Sequence, residues 1–317
     1  MIDWIYTIVG LVILLLAGDS LVKGAVNLSL RLGVPALIVS LTIVAFGTSA
    51  PELLISVQAI LDGVPDLALG NVVGSNTANV LLVLGVPALI AAMHTSECET
   101  RSSFLQMIGA TLLFIAICFT GVIDWQRGLI LLAALAAMLI WAARRARKAR
   151  NGADNARTDT EEIEGADPSL TGRSIAIFLA LGLIGLPLGA NLLVSGATNI
   201  ATAFGISETV IGLTLVAIGT SLPELATTVM AAIRRQADVA LGNVIGSNMF
   251  NLLAIIGVAS LVGPIPVDPQ FLRFDLWIML AASLVLIPFV FFGRNITRLW
   301  GIGLSVGYAA YLVVVLA

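Results

Sequence analysis

Two glutamates, Glu52 and Glu224, stand deep inside long apolar runs, in the strings GTSAPE and GTSLPE. A carboxylate near the centre of a bilayer is penalised by at least about 2.5 kcal/mol, so two of them placed alike mark a functional site. The chemistry around them is all oxygen: Thr48 and Ser49 precede Pro51 and Glu52, and Thr220 and Ser221 precede Pro223 and Glu224. Gly before the hydroxyls and Pro after them interrupt helical hydrogen bonding, since Pro lacks a donor and clashes with the carbonyl four residues earlier. Main-chain carbonyls from Ala45 to Gly47 and from Ala217 to Gly219 are therefore expected to face a cavity, where irregular backbone is tolerated at membrane depth. A second pair of strings, GNVVGSN and GNVIGSN, is expected to break two more helices and to set Ser75, Ser247, Asn79 and Asn251 opposite the glutamates. Carboxylates, hydroxyls, amides and carbonyls suit Ca²⁺, which takes roughly six to eight hard oxygen ligands. The set lacks the nitrogen and sulfur ligands that soft transition metals favour. Two glutamates carry a charge that one Ca²⁺ neutralises and that several Na⁺ could share, so one site could alternate between cargoes.

Both strings are copies within one chain. LTIVAFGTSAPEL at 41–53 recurs as LTLVAIGTSLPEL at 213–225, an offset of 172 (213 minus 41). DLALGNVVGSN from Asp66 to Asn76 recurs at the same offset as DVALGNVIGSN from Asp238 to Asn248, and Gly24, Gly33, Asn79 and Gly85 fall on Gly196, Gly205, Asn251 and Gly257. With an odd number of membrane spans between equivalent positions, the second copy is expected to enter the bilayer upside down, the inverted-repeat plan of many secondary transporters.

The elements that must hold these residues are membrane helices. The chain is 59% hydrophobic and 11% charged over 317 residues, with a mean hydropathy of +1.04, far from the composition of a water-soluble globule. Continuous apolar runs rich in Leu, Ala and Gly exclude the alternating strands of an outer-membrane barrel. At roughly 20 residues per span, about ten helices fit. They are expected near 3–30, 34–61, 66–92, 104–122 and 126–143, and again near 173–203, 206–233, 238–262, 273–292 and 297–316. The N-terminal MIDWIYTIVGLVILLL reads as the first span and not as a removable signal.

Three segments follow: a first five-helix repeat at 1–143, a hydrophilic linker at 144–172 and a second, inverted repeat at 173–317. The linker opens with RRARKAR and turns acidic through Asp159, Glu161, Glu162, Glu164 and Asp167, too polar to fold alone. If it is cytoplasmic, nearly all of the sixteen Lys and Arg share its side. Arg127 and Arg273 are left opposite, as the positive-inside rule asks. Both chain ends then face away from the cytoplasm.

At the two GTS-x-PE and two GN-x-x-GSN strings the chain resembles the calcium:cation antiporter superfamily, in particular the sodium/calcium exchangers of bacteria and archaea. The resemblance covers essentially the whole chain. It implies ten helices, with the second, third, seventh and eighth broken around the site. Cation contacts are implied from Thr48, Ser49, Glu52, Ser75 and Asn79, from Thr220, Ser221, Glu224, Ser247 and Asn251, and from the carbonyls of Ala45 and Ala217. It implies too that the first and sixth helices slide to expose the site to each side in turn, helped by Gly24 and Gly196. The function implied is exchange of Ca²⁺ for Na⁺, with Ca²⁺/H⁺ antiport as the alternative; a prokaryotic inner membrane is the expected home. Some members carry aspartate where Asn251 stands, so this chain forgoes a third carboxylate, which bears on stoichiometry and electrogenicity. No cofactor, nucleic acid or obligatory protein partner is expected beyond the two ions and the bilayer. About thirty linker residues are too few for the large regulatory domains of animal exchangers.

HExxH, GxSxG and an intramembrane aspartate pair are all missing, which argues against a membrane enzyme. Cys98, Cys118 and the single His94 are scattered and offer no zinc site. Asp19 and Lys23, four apart on one helix face, are expected to pair locally. Trp4, Trp125, Trp277 and Trp300 lie near span ends as interfacial anchors.

Overall fold

The computed structural model describes residues 2–153, 167, 169–205 and 217–316. The acidic linker residues Asp159, Glu161, Glu162 and Glu164, and the leading part of the seventh expected span at 206–216, lie outside the described residues. Eight described helices are long and apolar enough to cross a bilayer, and a bent pair, Ala36–Thr48 with Ala50–Leu61, makes a ninth. Leu222–Ile233 is a shorter apolar helix. The fold is an all-α membrane architecture; among the described residues the strand contacts are short, Val122–Ile123 on Ile265–Pro266 and a bridge between Met93 and Ile296.

The first helix, α1 (Ile2–Leu32), is followed by the bent pair, α2 (Ala36–Thr48) and α3 (Ala50–Leu61), and then by α4 (Pro65–Leu81). The bend of 42° falls at Ser49, as Pro51 requires. Ser49 has φ −83° and ψ 5°, and its repeat equivalent Ser221 has φ −86° and ψ 4° ahead of Leu222–Ile233. Each proline sits in the first turn of the helix that follows, where its missing N–H leaves no bond unmade. Those helices also end alike. Gly63 turns with φ 75° and Arg235, its equivalent, with φ 54°, a left-handed geometry that glycine adopts freely and arginine at a cost.

The second pair of breaks is not where the sequence suggests. α4 runs intact through GNVVGSN, and Ala237–Met249 runs intact through GNVIGSN. The irregularities come later, in a turn between Leu81 and Gly85 and in a π-helical stretch at Phe250–Ile255. Glycine weakens a helix by only about 1 kcal/mol because it keeps its N–H, whereas proline removes a bond outright. Close approach accounts for two of these glycines. A methyl on Gly242 would come within 2.8 Å of the Leu37 carbonyl oxygen, and one on Gly246 within 2.5 Å of that of Leu41.

Later in the chain come α5 (Trp125–Ala153), α6 (Gly172–Ala203), α7 (Leu222–Ile233) and α8 (Ala237–Met249). α5 extends ten residues past the expected boundary at 143 (153 minus 143), because Ala, Arg and Lys propagate helix well beyond the apolar run. The span containing α8 is 83% buried and the one containing α4 is 72% buried, so the two GN-x-x-GSN helices form the centre of the molecule. α1 and α6 lie antiparallel along their length. A methyl on Gly10 would stand 2.5 Å from the Leu193 nitrogen, one on Gly182 2.6 Å from Leu21 Cβ, and one on Gly196 2.6 Å from the Asp3 carbonyl.

Side-chain contacts separate two faces of the bundle. On the linker face, Arg145 bonds Glu99, Arg101 donates to the Val290 and Phe291 carbonyls, and the Asp167 amide donates to Asn27 Oδ1. On the opposite face, Asn199 bonds Asp3 and Arg127 bonds Asp124.

Candidate cation-binding site

Glu52 and Glu224 are both buried, at 1% and 0% exposure. Each starts its helix just after the Ser49 or Ser221 break, so the side chain is held at the point where the backbone changes direction. Glu224 Oε1 accepts from Ser49 Oγ of the other repeat at 3.3 Å and from Ser247 Oγ at 3.4 Å. Thr48 Oγ1 lies 3.3 Å from Ser247 Oγ and 3.3 Å from Asn243 Oδ1, tying the first hydroxyl pair to the second glutamate's helix partner. Ser75, Thr220, Ser221, Asn79 and Asn251 are all buried as well.

Among the described residues, several of these oxygens have no hydrogen-bond partner: Glu52 Oε2, Glu224 Oε2, Asn79 Oδ1, Asn251 Oδ1 and Ser221 Oγ. Four of the five are two repeat-related pairs. Leaving a buried acceptor unsatisfied costs about 1–3 kcal/mol, more for a charged group. Oxygen acceptors of this kind are the ligands that a hard cation takes.

Not every expected ligand is released by the broken helices. The Ala45 carbonyl accepts the Ser49 amide at 3.0 Å and the Thr48 hydroxyl at 3.3 Å, so the helical bond across the break survives in the first repeat. In the second repeat the Ser221 amide turns to Ile218 at 3.0 Å, a tighter turn that bypasses the carbonyl of Ala217.

Two residue pairs absent from the sequence-based set support the glutamates and amides. Asn71 donates to the Glu52 carbonyl at 3.4 Å and to Ser56 Oγ at 3.2 Å. Asn243, its equivalent, donates to the Glu224 carbonyl at 3.4 Å and to Thr228 Oγ1 at 3.2 Å. Asn76 and Asn248 contact one another across the repeats. All four stand inside the repeated strings, and their recurrence at the same offset as the glutamates is the signal that could have found them.

The approaches to the site differ between faces. A cavity of about 370 Å³ opens beside Pro51 and Thr220, between α3 and α6, lined by Leu54, Ala190 and Asn191. The equivalents of these lining residues are packed shut on the linker face. Gly18, equivalent to Ala190, lies so near Ala226, equivalent to Leu54, that a methyl would stand 2.9 Å from the Ala226 carbonyl oxygen. Asp19, equivalent to Asn191, is bonded to Arg234. Its expected partner Lys23 instead rests 4.6 Å from the Phe178 ring centroid. The ionic partner therefore comes from a different helix, because the end of α7 presents a guanidinium beside the carboxylate of α1.

Two buried carboxylates stand at the breaks of two membrane helices, with an apolar cavity beside them. The sodium/calcium exchanger protein family matches residues 2–144 and 174–317. The chain is 37% identical over 283 residues to a putative antiporter, CaxA, of Alkalimonas amylolytica, covering 89% of this chain and 88% of that one. It is 35% identical over 349 residues to the sodium/calcium exchanger MaX1 of Methanosarcina acetivorans, covering 99% and 98%. The solved sodium-calcium exchanger NCX_Mj, soaked with 2.5 mM Na⁺ and 0.1 mM Ca²⁺, matches with a TM-score of 0.82 at 30% identity over 99% of this chain and 98% of that one. This chain belongs to the sodium/calcium exchanger family, whose members among these relatives are transporters.

Proposed function

We propose that this chain is a secondary-active antiporter that exchanges Ca²⁺ for Na⁺ by alternating access at one mid-membrane site. Glu52 and Glu224 supply its charge, and Thr48, Ser49, Ser75, Asn79, Thr220, Ser221, Ser247 and Asn251 supply neutral oxygens, with main-chain help from Ala217; the Ala45 carbonyl is held by Ser49 and Thr48. The observation that carries this reading is the symmetric set of partnerless buried oxygens on Glu52, Glu224, Asn79 and Asn251. A passing cation satisfies them, and the ion that neutralises two carboxylates can be one Ca²⁺ or a group of Na⁺.

Two inverted five-helix repeats, 1–143 and 173–317, joined by a cytoplasmic linker, account for the matched geometry at Ser49 and Ser221. The same repeat surfaces are apart at Leu54 and Ala190 and together at Ala226 and Gly18. Exchanging those two arrangements, by sliding α1 and α6 as a pair, closes one route and opens the other. The basic residues gathered near the linker support a cytoplasmic linker with both termini outside, in what we read as a prokaryotic inner membrane.

The test is Ca²⁺ uptake into proteoliposomes under an imposed Na⁺ gradient, compared with an imposed pH gradient. Sodium-driven uptake that disappears in Glu52→Gln and Glu224→Gln is the expected result. Uptake driven by protons alone replaces the reading with Ca²⁺/H⁺ antiport, and uptake indifferent to trans-sodium replaces it with a channel.

A further inference from the structure

The four asparagines at the centre of the bundle form a hydrogen-bonded chain, Asn251 to Asn76 to Asn248 to Asn79, whose bond directions are set by main-chain carbonyls. Asn76 Nδ2 donates to the Asn248 main-chain carbonyl at 3.1 Å, and Asn248 Nδ2 donates to the Asn76 main-chain carbonyl at 3.4 Å. A carbonyl only accepts, so each of these amides must turn its NH₂ toward the opposite backbone. Asn248 Nδ2 also lies 3.8 Å from Met107 Sδ, a weak acceptor that favours the same orientation. The oxygens of Asn76 and Asn248 then point the other way, and each can only accept. Asn251 Nδ2 donates to Asn76 Oδ1 at 3.0 Å and Asn79 Nδ2 donates to Asn248 Oδ1 at 3.0 Å. With their NH₂ groups so engaged, Asn79 and Asn251 present their oxygens, and among the described residues neither oxygen has a protein partner.

We infer that Asn76 and Asn248 are positioning residues: they clamp the amides of Asn251 and Asn79 so that the site is offered carbonyl oxygens and never N–H donors. A free amide must be turned and fixed as the cation arrives; a clamped one is already held with its oxygen as the acceptor. The clamp works crosswise. Asn76 of the first repeat holds Asn251 of the second, and Asn248 of the second holds Asn79 of the first. The inference rests on the reading of Asn79 and Asn251 as cation contacts, and it explains why an amide suits position 251 here. An ionised aspartate there has no proton to give Asn76 Oδ1, and Asn76 cannot turn over without abandoning the Asn248 carbonyl.

The experiment is a set of double-mutant cycles on Ca²⁺ affinity, measured by isothermal titration of the purified full chain, with size-exclusion profile and ion-free melting temperature recorded for each protein. Asn76→Ala and Asn248→Ala are expected to weaken Ca²⁺ binding about tenfold each. Asn76→Ala is expected to add nothing in an Asn251→Ala background, and Asn248→Ala nothing in an Asn79→Ala background, while the within-repeat doubles Asn76/Asn79 and Asn248/Asn251 multiply their losses. Wild-type affinity in both Asn76→Ala and Asn248→Ala overturns the inference, as does coupling that follows the repeats instead of crossing them. Where an alanine protein does not reach the membrane, Asn76→Ser and Asn248→Ser take its place in the cycles, and the same crosswise coupling is expected of them. Failure of the underlying reading looks different, because Asn79→Ala, Asn251→Ala and Glu52→Gln would then all bind Ca²⁺ like wild type.

Discussion

Asp19→Asn removes the ion pair that fastens α1 to the end of α7 on the linker face, and the exposure of the pair sets the size of the effect. The two side chains are 31% and 28% exposed for Asp19 and Arg234, so the pair is sheltered but still reached by water. Arg234 makes further contacts, so it is not stranded when the carboxylate becomes an amide. Those facts place the loss near the lower end for hydrogen bonds to charged groups, about 1.4 kcal/mol, a tenfold rise in the ratio of linker-side-open to linker-side-closed protein. A cysteine at Ala226, which lies under Gly18 of α1, reports that opening. With the native Cys98 and Cys118 replaced by serine, its labelling by a membrane-impermeant maleimide from the linker side is expected to quicken about tenfold in Asp19→Asn, since labelling follows the open population when closure is fast. The mirror experiment builds the latch on the other face. Asn191→Asp with Asp62→Arg recreates the pair at the repeat-equivalent positions beside the cavity, and labelling of Leu54→Cys is expected to slow by about the same factor. Unchanged labelling in a folded Asp19→Asn protein refutes the assignment of this ion pair to the gating surface.

Glu52→Gln and Glu224→Gln are each expected to abolish sodium-driven ⁴⁵Ca²⁺ flux while leaving the protein as stable as wild type or more so without ions, because a buried charge becomes neutral; melting curves in ion-free buffer check the second half. Asn251→Asp is expected to lower ion-free stability by about 1–3 kcal/mol through the lost Asn76 bond, and to show a larger Ca²⁺-induced rise in melting temperature than wild type. Gly10→Ala is expected to cost about 1–3 kcal/mol in thermal unfolding, since its methyl meets the backbone of Leu193. Gly303→Ala, with nothing within 4 Å of the added methyl, is expected to be silent in the same assay.

The glutamates, their hydroxyl neighbours and the first pair of helix breaks are legible in the residues because proline and a buried acid each carry a large, local energetic signature. The second pair of breaks is not, since glycine in GNVVGSN permits a bend without compelling one. Asp19 escapes the sequence for a different reason. Helical spacing nominates Lys23, but the partner is Arg234, 215 residues away, and no local rule reaches that far. Asn76 and Asn248 lie in plain view inside the repeated strings. Their role depends on which atom of each amide faces the other repeat, and that is settled by packing across the centre of the bundle.

The hydrogen-bonded asparagines at the centre also bind the two halves of the chain into a common fate. For these four asparagines the bonds cross between the copies: each copy uses a backbone carbonyl and a side-chain oxygen lent by the other. A substitution at one of these four positions is therefore felt in the opposite copy, and drift in either half is restrained by a sequence it does not contain.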